Sequence, residues 1–329
     1  MKSSLNAVAA AIFAVAAVAP ASSYGQAYPS KPIRATIGTP TGGPGDVVLR
    51  GAGLAVTNAT GQGFVVENRV GVGSILSMEA CARGAPDGYT LCSCDQQSLA
   101  INPYIRSKLS YPAQDMVPVI LHGFLGAGIH VHPSVPANTL RELLALAKAK
   151  PNSITFGSFG PASAANLYIE LWKKEQGIQF LTVPYKAASL AYPALLAGEI
   201  QAVYFAITGA AAQNAKAGKT KTLVVMLENR TPDLPNVPTY KEAGLDVALV
   251  TWFGLCAPPR TPRDIVQKLN GIVAKGLLGD PELRAKFVLS QGMVIEGAAG
   301  GPPEAFAQHI AAERDRYARI VKITGVRED

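Results

Sequence analysis

A short apolar run, "IRATIG" at residues 33–38, breaks into "TPTGGPGD" at 39–46 and then into a helical stretch. Thr, Pro and Gly make a turn whose backbone N–H groups lack acceptors, and the start of a helix adds the positive end of its dipole. Together they hold an anion without a charged side chain. The device recurs near residue 157, where "SITFG" leads through "GSFGPASAAN" into "LYIELWKK". Two such strand, loop and helix units, one per lobe, make a clamp for an anion with two ends.

The anion is not a nucleotide phosphate. A Walker loop ends in Gly-Lys-Ser/Thr, whereas Gly45 is followed by Asp46; "NRVGVGSILSMEA" has Gly71 and Gly73 but Leu76 where a dinucleotide fingerprint needs its third glycine. Catalytic patterns are missing too: there is no G-x-S-x-G elbow and no H-E-x-x-H helix. Ser158 or Ser163 has no base placed by the sequence to activate it as a nucleophile. His130 and His132 stand two apart in "GIHVHPSV" without nearby carboxylates, so they are expected to be ordinary histidines and not metal ligands. The expectation is a binding protein with no enzyme activity, cofactor or metal.

The four cysteines are Cys81, Cys92, Cys94 and Cys256. Strand geometry in "TLCSCD" puts Cys92 and Cys94 on one face, a poor arrangement for bridging each other, and buried free thiols are expected. Neither this pair nor the two distant cysteines has zinc spacing.

The elements that position these loops are legible from periodicity. Strand-like runs "IRATIG", "FVVEN", "YTLCSC", "SITFG", "QFLTVPY", "IQAVYF" and "KTLVVML" alternate with helical segments, which predicts an α/β fold with largely parallel sheets. "NTLRELLALAKAK" at 138–150 places Leu140, Leu143, Leu144 and Ala147 on one helical face, and the C-terminal segment spaces Phe306, Ile310, Tyr317 and Ile320 likewise.

With 329 residues, 48% of them hydrophobic, the chain can build two domains of ordinary size. Its +7 formal charge is scattered, not striped, which speaks against nucleic acid and gives a mild bias toward anionic ligands. Lys2 followed by the apolar run Ala7 to Ala19 and then "SSYGQA" reads as a secretory signal over residues 1–27, so the mature chain is expected in the periplasm, starting near Tyr28.

In order, "YPSKPI", "PTGGPGD", "VVENRVGVG", "APDGYTL", "AINP", "HPSVPA", "VPYK", "LPNVPTYKEAG" and "WFGLCAPPRTP" closely resemble the signature blocks of the Bug-type receptors of tripartite tricarboxylate transporters. The resemblance covers essentially the whole mature chain. It implies a two-lobed periplasmic binding protein, type II-like, with residues 28–125 plus 251–329 as lobe 1, 126–250 as lobe 2, and crossovers near 125 and 250. It implies a carboxylate held in the cleft largely by backbone N–H groups, a monomeric receptor, and membrane permease subunits as partners. By position, Thr41, Gly42, Gly43, Pro44, Gly45 and Asp46 match the first ligand loop, Asp46 opening its helix and either capping it or touching ligand. Asp95, Gln96, Gln97 and Ser98 occupy the second loop, where Gln96 and Gln97 either fill the cleft or donate to a longer ligand. In lobe 2, Ser158, Phe159, Gly160, Pro161, Ala162 and Ser163 match the Gly/Ser loop, with Asn166 where relatives often have His.

The chain departs from that pattern in "IQAVYFAITG", where relatives often carry an acidic residue at the strand end and this chain has Phe205 and Ala206. A ring cannot pair with a ligand amine, which disfavours amino acids. Phe205, with Tyr204 and Phe159 as neighbours, is either core or a flat apolar surface between two anion-binding ends. The second alternative points to an aromatic mono- or dicarboxylate of the terephthalate or phthalate kind.

Overall fold

The alternation of apolar strands and helices folds into two sheets. In a computed structural model, the described residues are 28–161, 163–186, 188–246 and 250–328; residues 1–27, where the secretory signal is expected, and Ala162 lie outside them. The first sheet has the order β11-β4-β10-β3-β1-β2. Its strands are β1 (Ile33–Ile37), β2 (Phe64–Asn68), β3 (Thr90–Asp95), β4 (Val117–Leu125), β10 (Thr251–Ala257) and β11 (Met293–Val294). The second has the order β7-β6-β8-β5-β9. It contains β5 (Ala127–Val131), β6 (Thr155–Ser158), β7 (Leu181–Pro184), β8 (Ala202–Ala206) and β9 (Lys221–Val225).

Both sheets are mixed, where largely parallel ones were expected. The parallel pairings are β1 with β2 and β3, and β6 with β7 and β8. The pairings made by β4, β5 and β10 are antiparallel, because these strands carry the chain between the sheets instead of returning through a βαβ crossover. All seven strand-like runs lie in strands; the segments overlooked are β4, β5, β10 and the two-residue β11.

Helix α1 (Pro44–Thr60) starts with Pro at its first position and ends at Gly61, whose φ of 71° no ordinary residue adopts easily. Helix α2 (Ile75–Ala82) follows β2, and α3 (Leu140–Ala149) buries Leu140, Leu143 and Ala147 as its spacing predicts. Helix α4 (Ala164–Gln176) follows β6, and α5 (Ala188–Leu196) precedes β8. The C-terminal helix α6 (Pro303–Thr324) works on both sides. Phe306 and Ile310 pack in the cluster around β3 and β10, while Tyr317, Ile320 and Val321 join the core of the second sheet with Tyr168, Trp172 and Tyr204. No helix among the described residues is long and apolar enough to cross a membrane.

The cysteines correct the expectation of free thiols. Cys92 bridges to Cys81 on α2, and Cys94 to Cys256 on β10. Same-face neighbours on β3 cannot reach each other, but Cys92 meets the helix α2 packed on that face, and Cys94 reaches diagonally to the adjacent strand β10, where Cys256 stands opposite Cys92; the Cα separations of 5.8 Å and 6.1 Å suit a disulfide. The second bridge closes a loop of sequence separation 162 that contains every strand of the second sheet.

Candidate functional site

The strand registers decide where the loops point. In the first sheet the last residue of β3, Asp95, pairs with Phe253 near the start of β10, while Thr251 pairs with Leu125 at the end of β4. The carboxyl ends of β3 and of its parallel neighbour β1 therefore lie on the edge where the chain crosses between sheets. In the second sheet Ala127, the first residue of β5, pairs with Ala206, the last of β8, and β6 runs parallel to β8. The carboxyl ends of β6 and β8 thus also lie on the crossover edge. Loops after β1, β3 and β6 occupy the edges through which the two sheets are joined, the usual ligand location in open α/β sheets.

In the first loop Thr41 and Gly42 are exposed and Gly43 and Pro44 half-buried. Gly42 takes φ +83°, where a side chain would be strained, and Gly43 provides no side-chain cap. The N–H groups of Gly45 and Asp46 have no acceptor within the first turn of α1. Asp46 is the third residue of the helix, not the first, and it is 1% exposed. Its carboxylate accepts the Gly42 N–H at 2.9 Å, Arg50 Nε at 2.9 Å and Asn68 Nδ2 at 2.9 Å. Burial opposes its charge, but the bonds from Arg50, Gly42 and Asn68 hold the carboxyl below the usual range. Asp46 makes no capping bond to its helix, and its three partners give it a different role, support of the loop.

The second loop is internally bonded. Asp95 Oδ1 accepts the Ser98 N–H at 2.7 Å and Oδ2 lies 3.3 Å from the Ser74 hydroxyl; burial pushes its pKa up, the Ser98 bonds acting against it. Ser98 is fully buried and bonded back to Asp95. Gln97 Nε2 donates to Asn102 Oδ1 at 2.8 Å, and Asn102 donates to the Gly73 carbonyl and to Tyr111 Oη. Gln96 turns to β10, where it donates to Thr251 and accepts the Trp252 N–H. The glutamines thus brace the loop.

In the third loop Gly160 takes φ +97°. Ser163 caps α4, its Oγ accepting the Asn166 N–H and donating to the Gly160 carbonyl at 2.8 Å, so its side chain is occupied. Asn166 Nδ2 donates to the Pro161 carbonyl. Ser158, 3% exposed, ends β6 with no partner for its hydroxyl among the described residues. Period-two alternation separates Tyr204 from Phe205. Tyr204 sits in the core with Tyr168, a correction to its expected place beside Phe205. Phe205 stays half-buried, stacked on Tyr192 with centroids 4.4 Å apart and 18° between planes, and His130 meets both rings edge-on. Phe159 packs against the same cluster. Burial of His130 pulls its pKa down to about 4, so it is neutral at pH 7. His132 bonds Ser134 instead, and no group of three metal-type ligands occurs among the described residues.

Sequence reasoning misses Tyr192 and Ser74 as parts of these surroundings. Ser74 had a readable signal: it ends the "VGVGS" glycine run, and a Cβ on Gly38 would lie 2.5 Å from it, so the turn after β2 sits directly on the end of β1. Cavities of about 560 Å³, between Gly126, Ile207 and Gly292, and about 280 Å³, between Trp252, His309 and Glu228, flank the crossovers without touching the three loops.

Two mixed sheets joined by crossover strands, with ligand-type loops on the joining edges, define a periplasmic binding protein fold. Residues 48–326 match the tripartite tricarboxylate transporter family receptor, and the chain belongs to that family of solute-binding receptors, which are not enzymes. A curated protein of Cupriavidus necator, described as a UPF0065 protein in the gbd 5' region, is 35% identical over 82% of this chain and 82% of its own length. A Rhodopseudomonas palustris structure with adipate is 27% identical, covering 91% of this chain and 99% of that one, with a TM-score of 0.77. MatC from the same organism, with bound malate, is 26% identical over 89% and 100%, with a TM-score of 0.74.

Proposed function

We propose that the chain is exported by its N-terminal segment, works in the periplasm as a monomer, and captures a small carboxylate, which it delivers to the membrane permease subunits of a tripartite tricarboxylate-type transporter. The observation that carries this reading is the register of both sheets: the loops after β1, β3 and β6 all lie on the edges that face the crossovers. A carboxylate docks on the N–H groups opening α1 in lobe 1, residues 28–125 with 251–329. The other end of the ligand meets Ser158 and the start of α4 in lobe 2, residues 126–250. The closed form is favoured only when both ends are occupied, so ligand shifts the population by its differential affinity for that form.

The ligand proposed is an aromatic mono- or dicarboxylate such as terephthalate or phthalate. Phe205 and Tyr192 form a stacked pair beside the lobe-2 loop, and no carboxylate stands at the end of β8 to hold an amine. The adipate and malate found with the R. palustris relatives favour a second reading, an aliphatic diacid. Isothermal titration with terephthalate, phthalate, adipate, succinate, citrate and glutamate separates them. Aromatic diacids bind tightest on the first reading and aliphatic ones on the second; glutamate binding tightest rejects both.

A further inference from the structure

Strand β10 is the element on which the lobe-1 loops rest. Asp95 pairs with Phe253 through the backbone, and the ring of Phe253 lies against Gly45, where an added Cβ would come within 2.8 Å of it. The first turn of α1 therefore sits on the same strand as the loop after β3. One side chain crosses from loop to strand. Gln96 donates from Nε2 to Thr251 Oγ1 at 3.3 Å and accepts the Trp252 N–H on Oε1 at 3.1 Å. Thr251 is the residue at which β10 enters from the second sheet and pairs with Leu125, so both crossovers lie side by side there. One residue further, the Trp252 indole is fully buried and donates to Glu313 on α6 at 3.2 Å, which fixes the far side of the strand.

We infer that Gln96 is a positioning residue that latches the ligand loop of lobe 1 to the hinge strand, so that loop order and the seating of the crossover rise and fall together. Both the oxygen and the nitrogen of its amide bond to β10. The acceptor of this N–H at a buried strand start is costly to lose, because a buried donor left without one bears the full desolvation cost. A change of ligand loop geometry on binding is thereby passed to Thr251 and Trp252, and a mis-seated crossover loosens the loop. This coupling rests on the receptor reading; the latch itself does not.

Two arms test it on the full mature chain. In hydrogen exchange of the ligand-free protein, Gln96→Ala speeds exchange at the Trp252 amide about tenfold, while Ile33–Ile37 and Ala202–Ala206 keep their protection; unchanged exchange at Trp252 overturns the latch. In titration with the tightest acid of the panel above, Gln96→Ala and Thr251→Val each weaken binding, and the double variant loses less than the product of the two factors. If Gln96→Ala weakens binding while Thr251→Val does not, or if the two factors multiply, Gln96 acts on ligand directly and the inference fails. A wild-type chain that binds none of the acids rejects the receptor reading, and the exchange arm still decides the latch.

Discussion

Asp46 accepts the backbone N–H of Gly42 at 2.9 Å, four residues upstream, and so closes the first loop on itself. One of the loop N–H groups is spent in holding the turn that presents the others. The same carboxylate ties in Arg50 on α1 and Asn68 at the end of β2. Asp46→Ala removes the acceptor of four hydrogen bonds from Gly42, Arg50 and Asn68 and is expected to cost about 2 kcal/mol of stability and to weaken carboxylate binding. Chemical denaturation and titration check it; an unaltered midpoint would mean the network is not structural. Because the carboxyl lies below its usual range when folded, this stabilisation is present above the unfolded value and disappears as pH falls through the folded one.

The Cys94–Cys256 bridge encloses the second sheet in one long loop, and Cys81–Cys92 pins α2 to the same strand. Loss of the long-loop bridge in a Cys94→Ser, Cys256→Ser variant is expected to cost about 2–4 kcal/mol, more than loss of the short one, since the closed loop is longer. Urea unfolding of the two double variants ranks them. Equal or reversed costs would contradict the loop-length argument.

His122 and His130 are fully buried, and burial lowers both pKa values to about 4. Unfolding lets each imidazole take up a proton near its ordinary value of 6.5, so the unfolded state binds more protons between pH 6.5 and 4. Stability is therefore expected to fall through that window by about 1.4 kcal/mol per pH unit for each fully shifted histidine. Melting temperatures at pH 7, 6, 5 and 4 measure the slope, and His130→Asn should flatten it. A flat wild-type profile would show that these rings are hydrated when folded.

Phe205 and Tyr192 give the ligand class its own test. Phe205→Ala removes the stacked ring and is expected to weaken terephthalate about tenfold, with adipate and succinate little changed. Equal losses for aromatic and aliphatic acids would assign the pair to packing alone.

Much of the fold was legible because it rests on local signals. The seven strand-like runs, the face of α3 and the spacing of Phe306, Ile310, Tyr317 and Ile320 are all written in period two or 3.6. The glycine loops were readable because Gly42 and Gly160 need positive φ. What escaped depends on partners distant in sequence. β10 looks like any apolar run until β3 and β4 flank it, and its antiparallel sense follows from the crossover. Gln96 reads as a cleft amide until Trp252, 156 residues away, is seen beside it. Tyr204 and Phe205 are adjacent letters, yet the pleat sends one to the core and leaves the other half-buried. The cysteine pairing depends on which helix packs on that face of β3 and which strand lies beside it.

A small acid that bridges the two loop edges is expected to draw the sheets together. Small-angle scattering of the mature protein, titrated with its tightest carboxylate, tests this most directly. The expected result is a smaller radius of gyration that saturates together with binding. Saturated binding with an unchanged radius would contradict it.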